Sequence, residues 1–188
     1  MSQPHVMGII NSTPDSFYKK SRSTNSSFAI KKSNQMISDG ASIIDIGGES
    51  SRPGAKKISI EEEMQRVIPS IIDFKKNDLV TQISLDTRNL PTMKLGLESG
   101  VNIINDISGF ADHNKIKFVS KSNLPVIVMH MQNEPNNMQI EPNYSFAPID
   151  IYKILSKRVN LLIQMGVNKS NIVVDPGIGF GKNTYHNL

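Results

Sequence analysis

Short apolar runs recur along the chain, and longer segments with helical periodicity separate them. Each run is rich in Ile and Val and bounded by polar residues, which is typical of strands buried on both faces of a parallel sheet. The pattern predicts six strands, at His5–Ile10, Ser42–Ile46, Val80–Leu85, Asn102–Asn105, Pro125–Met129 and Asn171–Val174.

The segments between these runs predict helices. Ser59 and Glu62 have the spacing of a capping box before an apolar stripe that ends at Ile72, and Asp150 is predicted to cap a second clear helix. Weaker helices are predicted at Ser27–Asp39, Pro91–Ser99 and His113–Lys121, and helix ends at Gly40, Gly100 and Gly166. Strands that alternate with helices predict βαβ units and therefore an α/β fold with a parallel sheet.

Composition narrows the class of protein. A length of 188 residues, 38% of them hydrophobic, predicts one domain over residues 1–188. Without Cys there are neither disulfides nor thiolate metal sites, and we expect neither a signal peptide nor a membrane span. The net charge is +4 and the lysines are scattered, which favours a solvated surface with a bias toward anionic ligands over a nucleic-acid patch.

Polar residues stand at the end of every apolar run. In parallel α/β proteins, ligands bind at the carboxyl ends of the strands. A single polar residue at a strand end is most simply explained as a helix cap or as a partner in a loop hydrogen bond. Polar residues at all six strand ends, however, predict a binding site. Its carboxylates favour a cation or a ligand rich in N–H donors. The residues are Asn11, Asp45, Asp86, Asn105 with Asp106, His130 and Asp175.

Other local patterns are weaker. The glycine-rich segment Gly177–Lys182 departs from both common nucleotide-loop templates. The segment of Gly47 and Gly48, followed by Ser50, Ser51 and Arg52, is equally consistent with an anion cradle and with a mobile loop. The four histidines are far apart, so a zinc site is not predicted, and His130 is interpreted as a packed residue at the rim.

Five blocks resemble the dihydropteroate synthases, and the likeness runs from Pro4 to Asn187. The blocks are MGIINSTPDSF (Met7–Phe17), IIDIGGESSRPGA (Ile43–Ala55), INDISG (Ile104–Gly109), VIVMHMQ (Val126–Gln132) and VVDPGIGFGK (Val173–Lys182). The resemblance implies a TIM barrel and a cytoplasmic enzyme of folate biosynthesis, which is a sulfonamide target. Its reaction joins 6-hydroxymethyl-7,8-dihydropterin diphosphate to 4-aminobenzoate.

The resemblance also implies roles for individual residues. Asn11 would be a ligand of the Mg²⁺ cofactor, and Asp86 and Arg52 would be the catalytic residues. The pterin diphosphate would be bound by Ser51, Asp86, Asn105 and Asp175, and the aminobenzoate would lie near Phe17, Arg52 and Pro53.

The sequence departs from the family pattern in two respects. After the first loop the family usually has an acidic, glycine-rich stretch, whereas this chain has the basic stretch Tyr18–Arg22. The barrel also needs eight strands and about 250 residues. We therefore expect a C-terminally truncated barrel of about six of the eight βα units. The last two strands of the family carry a lysine, an arginine and a histidine, and these residues would be absent here, as would the helices of the family's homodimer interface. We therefore expect little turnover from this chain by itself.

An incomplete barrel leaves its first and last strands as open edges. We also expect apolar surface along Val80–Leu85 and Ile103–Ile104 to lose part of its cover.

Three functions remain open at this point. The chain is a synthase, a non-catalytic pterin-binding fragment or remnant, or the pterin-binding domain of a methyltetrahydrofolate methyltransferase. The TPDSF and SSRPGA loops favour the synthase over the methyltransferase. In each case the expected partners are small molecules, with no nucleic acid and no membrane.

Overall fold

A computed structural model describes residues 4–12, 22–77 and 82–188, with only the backbone for 22–27. Phe17 and most of the basic stretch that follows it lie outside the described residues.

Strands and helices alternate, as predicted. The strands are β1 (Met7–Asn11), β2 (Ile43–Gly47), β3 (Gln82–Asp86), β4 (Ile103–Asp106), β5 (Val126–Met129) and β6 (Ile172–Asp175). The helices are α1 (Arg22–Ser38), α2 (Ile60–Lys76), α3 (Leu90–Ser99), α4 (His113–Ser122), α5 (Ala147–Gln164) and α6 (Thr184–Asn187), with a 3-10 turn at Lys169–Asn171.

The six strands form one sheet in the order β1-β2-β3-β4-β5-β6. The pairs β1–β2, β2–β3 and β5–β6 are parallel. Parallel strands in sequential order, with a helix between each strand and the next, are the pattern of a (β/α)8 barrel. The predicted fold, about six βα units of such a barrel, is confirmed.

Contacts between Cα atoms divide the chain into two compact units. The first is Met1–Ser50 with Ile58–Ile104, and the second is Ser51–Lys57 with Asn105–Leu188. The single domain stays a prediction.

The core of the first unit lies between its strands and α2. Ile44, Ile46 and Leu85 are fully buried, as are Val67 and Ile71 on the apolar stripe of the helix. Helix α2 begins where the capping pattern predicts, because the hydroxyl of Ser59 accepts a hydrogen bond of 3.1 Å from the backbone N–H of Glu62. This burial attaches the helix to one face of the strands and leaves their carboxyl ends to the loops.

One helix of the second unit begins at a different residue from the one predicted. Asp150 was predicted to be the N-cap of α5, but that helix begins at Ala147 with Phe146 at the N-cap. The prediction is wrong because Pro148 favours the first turn of a helix, where its missing N–H is not needed. Asp150 caps from inside that turn, where its carboxylate accepts a hydrogen bond of 3.0 Å from the Phe146 N–H.

Both terminal strands of the sheet expose apolar side chains. Ile9 of β1 is 56% exposed, and Val173 and Val174 of β6 are 53% and 50% exposed. The expectation of uncovered surface in β3 and β4 is wrong for the described residues, since Ile83, Leu85, Ile103 and Ile104 are all buried. Helix α3 covers Leu85 closely, because a Cβ at Gly96 would lie 2.4 Å from a Leu85 methyl carbon.

Within the described ranges, no helix combines the length and the hydropathy that crossing a membrane requires.

We expect the 188-residue chain, expressed by itself, to associate through its edge strands, because exposed apolar edges pair with other edges. Val173→Lys places a charge on β6 and is expected to shift the population toward monomer in size-exclusion chromatography with light scattering. The matched control is Tyr152→Lys, a change at an exposed residue of α5, which should leave association unchanged. A monodisperse wild-type monomer would contradict the prediction.

Candidate functional site

Asn11, Gly47 and Asp86 form one row across the ends of β1, β2 and β3. The parallel register pairs Asn11 with Gly47 and Gly47 with Asp86, so the three residues share one face of the sheet. A Cβ built on Gly47 would lie 3.4 Å from Oδ2 of Asp86 and 3.7 Å from Oδ1 of Asn11. The structure therefore brings the predicted metal ligand and the predicted catalytic acid together, with the bare glycine between them.

A second row lies one step deeper and contains Ile9, Asp45 and Ser84. Asp45 was predicted at the end of its strand, but β2 continues to Gly47, and Asp45 is buried below the rim. Ser84 is also buried, and neither its hydroxyl nor that of Ser12 has a hydrogen-bond partner among the described residues. The second row is thus polar at Asp45 and Ser84, beneath Gly47 and Asp86, and apolar at Ile9, beneath Asn11.

A buried carboxylate holds the turn that follows Asp86. Glu63 of α2 is only 1% exposed. Its oxygens accept hydrogen bonds from the hydroxyls of Thr87 and Thr92, at 2.8 and 2.5 Å, and from the amide of Asn89 at 3.0 Å. A buried carboxylate requires hydrogen-bond donors, and through these three bonds Glu63 of α2 holds the turn that follows Asp86. The sequence signal that identifies Glu63 is an acid on the apolar face of an amphipathic helix.

An ion pair links the loops after β2 and β3. The guanidinium of Arg88 donates two hydrogen bonds to the carboxylate of Glu49, at 2.8 and 3.0 Å. Bidentate pairs of this kind restrict orientation as well as distance. The Arg66 guanidinium of α2 adds a bond of 2.9 Å to the Gly48 carbonyl oxygen. These contacts hold the glycine pair in place beside Asp86.

In the second unit, Asp175 ends β6 and turns the chain into the glycine-rich loop. Its Oδ1 accepts a hydrogen bond of 2.7 Å from the backbone N–H of Gly177. A Cβ on Gly177 would lie 2.1 Å from the carbonyl oxygen of His130, and its φ is +68°. Only glycine allows this close approach, and the loop is pressed against the end of β5 for that reason.

Lys182 closes this loop from within. Its ammonium is buried and donates hydrogen bonds of 2.8 Å to the carbonyl oxygens of Gly177 and Phe180, and it lies 3.1 Å from Nδ1 of His130. Burial lowers the pKa of Lys182 to about 8, while the Asp175 carboxylate opposes the shift. Burial and the charge of Lys182 lower the pKa of His130 to about 4, so the imidazole is neutral at pH 7 and accepts from the ammonium. His130 is packed, as predicted.

Asn105 and Asp106, adjacent at the end of β4, have different environments. Asn105 is half-buried. Asp106 is fully buried and pairs with the ammonium of Lys115 at 2.5 Å, and its oxygens also accept from the backbone N–H groups of Ser108 and Phe110. Asp106 therefore shapes the loop after β4, and Asn105 is the residue of the two that a ligand can reach.

Ser51, Arg52 and Pro53 belong to the second unit. Ser51 is half-buried, and Arg52 and Pro53 are exposed. The backbone N–H of Gly54 donates to the carbonyl oxygen of Pro135 at 3.1 Å, which fastens the segment to the loop after β5. An exposed guanidinium on a fastened loop is accessible to an anionic ligand.

Comparison with known proteins identifies the family. The family model described as pterin binding enzyme matches residues 7–188, and the chain belongs to the pterin-binding enzymes. It is similar to the dihydropteroate synthase of Escherichia coli (strain K12), with 40% identity over 187 residues, which are 100% of this chain and 66% of that protein. The dihydropteroate synthase of Haemophilus influenzae is 38% identical, with 100% of this chain and 68% of that protein covered.

Solved structures give the same family. The Yersinia pestis dihydropteroate synthase, in complex with a sulfonamide drug, superposes with a TM-score of 0.89 at 38% identity, covering 98% of this chain and 66% of that one. The Xanthomonas albilineans dihydropteroate synthase, in complex with 7,8-dihydropteroate, gives a TM-score of 0.85 at 31% identity, covering 98% and 64%. The chain thus spans about two thirds of the length of the relatives it matches.

We expect acid to destabilise the protein through His130. Between pH 6.5, the usual pKa of histidine, and about 4, the unfolded chain binds a proton that the folded chain does not, so the free energy of unfolding falls as the pH falls. His130→Gln removes this contribution, which amounts to about 2 kcal/mol between pH 7 and 4.5.

Thermal melts over that pH range measure the effect. His113→Gln changes an exposed histidine and is the control, which should retain the acid sensitivity of the wild type. Equal acid sensitivity in His130→Gln and the wild type would contradict the assignment.

Proposed function

We propose that this protein is a dihydropteroate synthase, which condenses 6-hydroxymethyl-7,8-dihydropterin diphosphate with 4-aminobenzoate and releases diphosphate. The observation that carries the proposal is the row of Asn11, Gly47 and Asp86, where an amide oxygen and a carboxylate flank a bare glycine at the ends of parallel strands. The similarity to the dihydropteroate synthases of Escherichia coli and Haemophilus influenzae supports the proposal.

The pterin ring is recognised by polar residues at the strand ends. A pterin edge presents a pair of N–H donors beside a carbonyl group, and a carboxylate such as Asp175 accepts both donors in a charge-assisted contact. Asn105 donates and accepts, and Ser51 supplies a hydroxyl. The bond from the Gly177 N–H to Asp175 fixes the orientation of that carboxylate.

Asn11 is the proposed ligand of Mg²⁺. The described residues include no group of three acidic or histidine side chains that could hold a metal by themselves. Mg²⁺ keeps several waters and is often bound by one or two protein oxygens together with substrate phosphates. A single amide oxygen in the row with Asp86 fits that mode. When bound, the metal would stabilise the negative charge of the leaving diphosphate.

The chemical step substitutes nitrogen for oxygen at the pterin methylene carbon. The bond from this carbon to the diphosphate oxygen breaks, and the electron pair leaves with the diphosphate. The amine nitrogen of 4-aminobenzoate forms the new bond to carbon and then loses a proton. Asp86 stabilises the positive charge that develops on the ring and methylene, since a fixed carboxylate directed at such charge lowers the barrier.

The aminobenzoate is proposed to lie near Phe17, Arg52 and Pro53. The exposed guanidinium of Arg52 pairs with the carboxylate of the aminobenzoate in a charge-assisted contact. Sulfonamides are proposed to compete for this position, and the Yersinia pestis relative was solved in complex with a sulfonamide drug.

Calorimetric titration with the pterin diphosphate and Mg²⁺ tests the proposal. We expect Asp175→Asn to lower the affinity by about 1.5–3 kcal/mol, the scale of a hydrogen bond to a charged group. Glu141→Gln removes an exposed carboxylate in the same unit and should leave the affinity unchanged. Equal affinity in Asp175→Asn would remove this residue from the pterin site.

A diphosphate-release assay with both substrates then separates the remaining functions. Little release is expected from the 188 residues by themselves, so the assay also uses a version completed to eight βα units. Release by that version supports the synthase, and binding without release supports the non-catalytic pterin-binding alternative. A wild-type protein that binds no pterin would overturn the proposal.

A further inference from the structure

Gly47 and Gly48 are adjacent, but they have different surroundings. Neither has a left-handed backbone, so the conformation of the chain does not require glycine at either position. A Cβ on Gly48 would lie 2.9 Å from a Val67 methyl carbon and 3.1 Å from the Glu63 carbonyl oxygen. Glycine at 48 is therefore required by the close packing of the strand end on α2.

No such contact explains Gly47. The nearest atoms to a Cβ there belong to Asp86 and Asn11 and lie 3.4 to 3.7 Å away, which is ordinary van der Waals distance. An alanine methyl would fit without a clash. It would occupy the Gly47 crevice, which we define as the space bounded by the Gly47 Cα, the Asn11 Oδ1 and the Asp86 carboxylate.

The backbone beneath this crevice is held in place. The carbonyl oxygen of Gly47 accepts a hydrogen bond of 2.7 Å from the Ser12 N–H, and Gly48 is packed against α2. Buried Asp45 and Ser84 fill the row below. The strand cannot withdraw to accommodate an added methyl, so the floor of the crevice would rise by about 1.5 Å, the length of one C–C bond.

We propose that Gly47 determines specificity for the diphosphate-bearing pterin, because its crevice receives the CH2–O linkage between ring and diphosphate. The inference rests on the proposed function. In the proposed function Asn11 contacts the diphosphate side and Asp86 the ring side, and Gly47 lies between these two side chains, beside the group that joins ring to diphosphate.

A raised floor would displace this linkage from both oxygens at once. Loss of one hydrogen bond to a charged group lowers affinity by about tenfold or more. A dihydropterin without a substituent at carbon 6 has no linkage to place, so its binding should not depend on residue 47.

The experiment compares the wild type with Gly47→Ala and Gly48→Ala. Each is titrated with the pterin diphosphate plus Mg²⁺ and with 6-unsubstituted 7,8-dihydropterin, and each is melted thermally. Gly47→Ala is expected to keep the wild-type Tm and the affinity for the unsubstituted pterin, while its affinity for the pterin diphosphate falls about tenfold or more. Gly48→Ala is expected to lower the Tm, since overpacking destabilises a close contact.

Three results would overturn the inference and leave the proposed function standing. They are equal affinity of Gly47→Ala and the wild type for the diphosphate, an equal loss for both ligands, and a fall in Tm as large as that of Gly48→Ala. A wild type that binds neither ligand would overturn the proposed function, and the inference with it.

Discussion

The parallel register of the strands is the constraint on which the candidate site depends. Side chains alternate between the two faces of a strand, so a slip of one residue would move every side chain of that strand to the opposite face. Asn11, Gly47 and Asp86 share a row only because Ile10, Ile44, Ile46 and Leu85 face the helical side, where all four are buried. The hydrophobic core therefore aligns the polar residues at the strand ends.

Buried charges give the loops their shape. Within the first unit, Glu63 fixes the turn after Asp86. Within the second, Lys115 neutralises Asp106 and Lys182 closes the glycine-rich loop. Burial of a charge is costly unless it is paired or hydrogen-bonded, and each of these charges has its partners. They act on the backbone, while the residues proposed to meet the ligand stand on the segments that they hold.

The sequence predicted the strands well because apolar runs of β-branched residues report burial directly. It predicted helix ends at Gly40, Gly100 and Gly166 for a similar reason, since all three adopt the left-handed backbone that favours glycine. It misplaced the start of α5, where Asp150 was taken for the N-cap and the preference of Pro148 for the first turn was not weighed.

The partners of buried charges could not be predicted in this way. Glu63 reaches residues 24 to 29 positions along the chain, and Lys182 reaches His130, 52 positions away. No local pattern identifies such pairs, because they depend on which loops the fold brings together. The depth of Asp45 was missed for a related reason, since it depends on where β2 ends. The roles of Asn11, Ser51, Arg52, Pro53, Asp86, Asn105 and Asp175 stay proposals, and Phe17 lies outside the described residues.

The contact of Gly48 with α2 has a consequence for protein engineering. The outer helices of a barrel are usually regarded as a scaffold that can be redesigned while the catalytic end is left alone. Here the helix touches the strand end next to Gly47, through Val67 and the Glu63 backbone. Enlarging Val67 to stabilise the hydrophobic layer would push on that strand end, so scaffold and catalytic end are not independent modules in this protein.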